Sequence, residues 1–271
     1  MAGDGAQRSP QGAAFNAAAT GAAATGGSRW SSPATRRRAC SQLARVLAFA
    51  ITGVCLVASV AAAAEHATNP IIWADVPDVA VIRVGDTYYM SSTTMHMSPG
   101  VPIMRSQDLV DWDLVGYAYD TLADNDALNL ANGQSAYGAG SWASSLRYHD
   151  GVYYVSTFSS TTGKTHIYTT SDIENGPWMA NSFAPMLHDG SLFFDDDGRV
   201  YMVHGGGDIR LTELEVDLSG VKPDGVDQVI IKNASAAAGP NVGLPAEGSQ
   251  LAKIGDKYYL FNITWPRGGM R

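Results

Sequence analysis

From residue 65 onward the chain has no cysteine, because both of its cysteines, Cys40 and Cys55, lie upstream. That absence excludes disulfides and thiolate metal sites from this part. Positive charge is scarce there too. Residues 1–64 hold six of the 18 basic residues and one of the 26 acidic ones, which leaves 12 against 25, a net of −13. A domain this acidic repels phosphate backbones, so nucleic acid is not an expected partner, whereas a neutral polymer is tolerated. No amphipathic helical pattern of ten or more residues is visible. The glycine-rich His204-Gly-Gly-Gly-Asp208 lacks the Lys-Ser/Thr and following helix of a phosphate loop.

Long apolar runs are also missing. The longest, Val46 to Val60, falls short of the roughly 20 residues that a membrane span needs. Arg36-Arg37-Arg38 and Arg45 precede it, and Ala61-Ala62-Ala63-Ala64 follows it. A basic region, an apolar core and an Ala-x-Ala end describe a secretory signal peptide. The expected organisation is an Ala/Gly/Ser/Thr-rich extension at 1–33, disordered or wrongly assigned to the protein, then a signal peptide at 34–64 and a folded part at 65–271. The expected location is secreted or periplasmic, with no stable membrane association after cleavage. About 207 residues then remain, enough for one substantial core.

What is present is a strand–turn–strand unit repeated four times. It reads Val81-Ile-Arg-Val-Gly85-Asp-Thr-Tyr-Tyr-Met90, Leu146-Arg-Tyr-His-Asp-Gly151-Val-Tyr-Tyr-Val155, Leu192-Phe-Phe-Asp-Asp-Asp-Gly198-Arg-Val-Tyr-Met202 and Leu251-Ala-Lys-Ile-Gly255-Asp-Lys-Tyr-Tyr-Leu260. The pairs Gly85-Asp86, Asp150-Gly151, Asp197-Gly198 and Gly255-Asp256 suit two-residue hairpin turns, which need positive φ. The turn glycines are 66, 47 and 57 residues apart. Four-stranded propeller blades repeat at roughly 40–50 residues, and loop insertions lengthen that period. The expected fold is therefore all-β, a β-propeller, with a β-sandwich as the alternative.

Seven to nine residues before each turn glycine stand Asp78, Trp142, Asp189 and Glu247. Equivalent positions of a radial repeat converge, so three carboxylates and an indole are expected at one place. Asp78 follows Pro77 at the start of a strand, with Asp75 as a competitor for its role. Glu247, set among Pro, Ala and Gly, suits a partly buried proton donor. An indole face such as that of Trp142 stacks on sugar rings. Met95-His96-Met97-Ser98-Pro-Gly100 offers His96 as a pocket wall, and Trp265 and Arg267 are further candidates for contact with a ligand. Asp195-Asp196-Asp197 reads as a solvent-facing hairpin tip and not as a metal loop.

Several segments resemble glycoside hydrolase family 43, the β-xylosidases and α-L-arabinofuranosidases. They are the stretch from Asn69-Pro-Ile-Ile through Val-Pro-Asp78-Val-Ala-Val-Ile-Arg-Val-Gly-Asp-Thr-Tyr-Tyr, then 91–100, 102–112, 191–201 and Glu247-Gly-Ser-Gln-Leu251. The resemblance covers roughly 69–271 and implies a five-bladed propeller with an inverting mechanism. It makes Asp78 the general base, Glu247 the general acid and Asp189 the carboxylate that tunes the acid, with Trp142 beside the sugar. Val79 and Gly190 stand where the family usually has proline. The fifth blade and the rest of the fourth are expected to be missing, as in a fragment of a longer protein.

The implied substrate is an oligosaccharide or polysaccharide derived from xylan or arabinan. The favoured activity is an exo-acting β-xylosidase. An α-L-arabinofuranosidase, a non-catalytic carbohydrate-binding propeller and an inactive fragment are the alternatives. No metal is needed for bond cleavage. Related enzymes often carry calcium on the propeller axis, but no complete ligand set for it is visible in this sequence.

Overall fold

The structure is a computed structural model that describes residues 67–96 and 98–268. The extension at 1–33, the signal-peptide segment at 34–64, Cys40 and Cys55 lie outside the described residues. Among those described, no helix is long and apolar enough to cross a membrane.

The described part is all-β. β1 (Ala80–Val84), β2 (Thr87–Ser91), β3 (Gly100–Ser106) and β4 (Asp113–Tyr119) form one antiparallel sheet in chain order. β5 (Ser145–His149), β6 (Val152–Ser159), β7 (Lys164–Thr170) and β8 (Met179–Phe183) form a second. β9 (Ser191–Phe194), β10 (Val200–His204), β11 (Ile209–Leu214) and β12 (Asp227–Ile231) form a third. A 3₁₀ turn at Ala234–Ala238 leads to the hairpin of β13 (Val242–Ile254) and β14 (Lys257–Pro266). These are three complete blades and the first two strands of a fourth. The first strand of each blade packs on the next, β1 on β5, β5 on β9 and β9 on β13, as the inner strands of a propeller must.

Three of the four expected hairpin turns hold two residues. Val84 pairs with Thr87, His149 with Val152 and Ile254 with Lys257. At the second, both Asp150 and Gly151 have positive φ, 48° and 82°. The third departs from expectation. Phe194 pairs with Val200, so five residues, 195–199, make the turn. The Asp195 N–H donates to the Arg199 carbonyl and the Gly198 N–H to the Asp195 carbonyl. Asp195 is also not a solvent-facing tip residue. Its carboxylate accepts from Lys253 Nζ at 3.1 Å and from the Tyr258 hydroxyl at 2.8 Å, joining the third blade to the fourth. Asp196 and Asp197 are exposed, as expected.

The core lies between blades rather than at one centre. Val101, Ile103, Leu146 and Val155 are fully buried between the first two, where the Tyr119 and Tyr168 rings stack at 5.1 Å. Ile167, Leu192, Met202 and Leu214 fill the next interface. Each such side chain contributes about 1.5–3 kcal/mol.

An inner strand has no strand neighbour on its axial side, so its backbone groups there need other partners. Serines and one arginine supply them. The Leu192 N–H donates to Ser145 Oγ, and the Leu251 N–H to Ser191 Oγ. Arg147, on β5, donates to the carbonyls of Leu146, Leu192 and Leu251 and to Ser191 Oγ, at 2.7–3.2 Å. One guanidinium thus ties three blades. Burial pushes its pKa down to about 10, so it keeps its charge at neutral pH. Replacing Arg147 by Met strands three carbonyls and is expected to lower unfolding stability by about 3 kcal/mol or more, read from urea titration. Lysine, which lacks the guanidinium fork, is expected to recover less than half of that loss.

Candidate active site

Two of the three carboxylates stand in a left-handed backbone conformation two residues before an inner strand. Asp78 has φ 52° ahead of β1, and Asp189 has φ 49° ahead of β9. Aspartate tolerates this region better than most residues with a Cβ. The sharp turn there sends the chain into the strand and leaves the side chain at its start. Glu247 lies within β13, between two register shifts in its pairing with β14, and Gly248 beside it has φ 64°. The irregularity frees Glu247 from the regular alternation of the strand.

The chain around each acid is tied to its own or a neighbouring blade. The Ser92 hydroxyl donates to the Pro77 carbonyl at 2.5 Å, next to Asp78. Asp189 Oδ2 accepts the Gly248 N–H at 3.0 Å, which links the third blade to the residue after Glu247. Asn262 Nδ2 donates to the Glu247 carbonyl at 3.2 Å. Gly190, where the resemblance leads one to expect proline, faces Met202, whose Sδ would lie 2.5 Å from an added Cβ.

The carboxylates sense one another. Asp78 is open to solvent, yet protein atoms crowd one side of its carboxyl. That partial burial, and then the charge of Glu247, raises its pKa. The Asp189 side chain is only 11% exposed. Burial raises its pKa most, and Glu247 and Asp78 add to this, while His188 and the Gly248 N–H act the other way.

His188 was not among the residues singled out from sequence. Its Nε2 lies 3.0 Å from Glu247 Oε2 and 3.8 Å from Asp189 Oδ2. The ligand atoms of His188, Asp189 and Glu247 lie within 4.8 Å of one another, a set with the donors and spacing to hold a divalent cation. The only signal in the sequence was adjacency, a histidine directly before a candidate carboxylate.

The other candidates have partners of their own. Trp142 is half-buried. Its N–H donates to the Phe158 carbonyl and its carbonyl accepts from Thr157 Oγ1, while the Phe158 ring packs edge-on against His188 at 5.1 Å. These backbone bonds anchor the Trp142 main chain next to the residue whose ring packs on His188. His96 clamps a loop: its Nδ1 accepts the Gly138 N–H at 2.9 Å and its ring stacks on Tyr137 at 3.7 Å. Trp265 pairs with Leu244 across β13 and β14, three positions from Glu247. Arg267 holds the start of β13, with its N–H donating to the Asn241 carbonyl. Asp75 is exposed.

A carboxyl with a raised folded-state pKa binds more protons in the native state than in the unfolded one. Stability then falls as pH rises from the ordinary aspartate value, about 3.9, through the raised one. An asparagine in place of Asp189 would keep an acceptor for the Gly248 N–H and tolerate the same φ. Asp189→Asn is therefore expected to raise the melting temperature at pH 7 by about 2–4 °C, roughly 1 kcal/mol. It should also flatten the decline that sets in as pH rises above the ordinary aspartate value, as followed by thermal melts.

The chain is similar to several known proteins. A solved structure described as a bifunctional GH43–CE protein of Bacteroides eggerthii is 65% identical, with a TM-score of 0.73, and the match covers 76% of this chain and 26% of that one. A β-xylosidase of Formosa agariphila is 30% identical over 74% of this chain and 35% of its own length. A non-reducing end α-L-arabinofuranosidase of Bacteroides ovatus is 31% identical over 78% and 38%. The chain thus spans little more than a third of the length of these curated relatives. Its blades are those of a five-bladed propeller. The profile of glycosyl hydrolases family 43 matches residues 67–265, nearly the whole described part, and the chain belongs to that family.

Proposed function

We propose that this protein hydrolyses a terminal glycosidic bond in xylan- or arabinan-derived saccharides with inversion. The observation that carries the reading is that three different blades deliver three acids to one place: the carboxylates of Asp189 and Glu247 lie within 4.8 Å of each other, and the charge of Glu247 raises the pKa of Asp78. Glu247 protonates the leaving oxygen as the C1–O bond breaks. Asp78 takes a proton from the water whose oxygen bonds to C1 from the opposite face. Inverting enzymes hold the two carboxyls about 6.5–9.5 Å apart to admit that water. The exposure of Asp78 suits a base that must be reached by solvent. Asp189, fixed by the Gly248 N–H, orients the backbone beside the acid. The half-buried indole of Trp142 supplies a stacking face for the sugar.

Relatives named β-xylosidase recur among the matches, and this favours xylose over arabinofuranose as the released sugar. Export follows from the signal-like segment at 34–64, and a secreted or periplasmic location suits a polymer too large to enter a cell.

Glu247→Gln is expected to lower turnover by about 10²–10⁴-fold on a substrate with a poor leaving group and far less on an activated aryl glycoside, which needs little protonation. Asp78→Ala should lower both alike, with azide restoring part of the rate by entering the vacated space. Parallel assays on aryl β-xyloside and aryl α-arabinofuranoside check both points and the sugar preference. Equal losses on the two leaving groups in Glu247→Gln count against the acid assignment.

A further inference from the structure

The mechanism leaves two features unexplained, His188 and the run Gly205-Gly206-Gly207. They meet. The His188 carbonyl accepts the Gly205 N–H at 2.9 Å. The imidazole lies over Gly206, where an added Cβ would sit 3.6 Å from Cδ2 and 3.8 Å from Nε2. The Phe158 ring closes another side. From the same loop, the Gly207 N–H donates to the Ala246 carbonyl at 2.8 Å, one residue before Glu247, and its carbonyl accepts the Ala234 N–H. Ala246, 1% exposed, is held again by Ser235, whose Oγ accepts its N–H at 2.7 Å. The glycine run therefore fixes both the backbone that carries Glu247 and the backbone that carries His188.

Building on the hydrolase reading above, we propose that His188 is a positioning residue that selects which oxygen of Glu247 carries the transferable proton. Its Nε2 faces Glu247 Oε2 at 3.0 Å. With the ring proton on Nε2, that bond can be kept whether Glu247 is ionised or protonated. A donor pointed at Oε2 disfavours a proton on the same atom, so the proton resides on Oε1 and points away from the imidazole. The carboxyl plane is fixed at the same time. Without this contact the side chain rotates and delivers its proton from a distribution of directions, and small misplacements of a proton donor are costly. The charged and titratable groups that face the imidazole are Asp189, Glu247 and, more distantly, His204.

The test uses the whole chain and three variants. His188→Phe keeps the packing against Phe158 and Gly206 and removes the hydrogen bond. His188→Gln restores a donor. Gly206→Val leaves the imidazole intact and crowds it with γ-methyls, since a Cβ alone would make only ordinary contact. His188→Phe and Gly206→Val are expected to lower kcat by about 10²-fold on a poor leaving group and by less than about threefold on an activated aryl glycoside, with KM little changed. His188→Gln should recover at least a tenth of the wild-type kcat. A purely structural role would lower both substrates alike, and that outcome, or His188→Gln no better than His188→Phe, overturns the proposal. An arm independent of turnover uses ¹⁵N-labelled histidine in the wild type and in Glu247→Ala. The Nε2 resonance of His188 should move when its partner is removed, and an unmoved resonance overturns the contact. If wild type cleaves neither substrate, the hydrolase reading fails, and the resonance still decides whether His188 engages Glu247.

Discussion

The axial edge of each inner strand sets the problem that this architecture must solve. Strands β1, β5, β9 and β13 stand side by side without forming a sheet, so their inward N–H and carbonyl groups have no strand partner. Arg147 answers for three blades at once, through carbonyls of β5, β9 and β13 and the hydroxyl of Ser191. A guanidinium suits this task because it offers five donors in a fixed plane. Its interactions are with neutral carbonyls, so the charge is solvated by peptide dipoles rather than cancelled by a carboxylate. By joining β9 to β13, this group also links the blade of Asp189 to the blade of Glu247.

Clustering three carboxylates works against folding. Burial and mutual repulsion both disfavour the ionised forms of Asp78 and Asp189, and the structure tolerates this because the surrounding blades are firmly packed. Compensation is local and backbone-based. The Gly248 N–H serves Asp189, and His188 serves Glu247. The arrangement is one in which stability is given up at the site that gains chemistry.

Much of the local structure was legible in the sequence. The turn pairs marked the hairpins, and three have the expected two-residue geometry because Gly-Asp and Asp-Gly fit the positive φ of such turns. The third was misread, since Asp197-Gly198 lies inside a five-residue turn that the Asp195–Arg199 backbone bond defines. The alignment of Asp78, Asp189 and Glu247 was legible as well, because a radial repeat turns sequence position into spatial position. Contacts between blades were not. Nothing local in Leu146-Arg147-Tyr148 shows that its arginine reaches residues 44 and 104 positions away. For the same reason Asp195 looked like a tip residue until Lys253 and Tyr258 came to it from the next blade. His188 was overshadowed by its neighbour, and the Gly205–Gly207 run carried no recognisable meaning until its partners were in view.

The left-handed backbone at Asp78 and Asp189 narrows what can replace them. Asparagine and glycine are the residues that share aspartate's tolerance of that region. Each is one nucleotide change from an aspartate codon. Descendants of such a gene could therefore lose these acids by drift while still folding. A family built this way is expected to shed lectin-like members at little evolutionary risk, whereas regaining an acid at a position that had accepted a bulkier side chain would require the turn itself to be rebuilt.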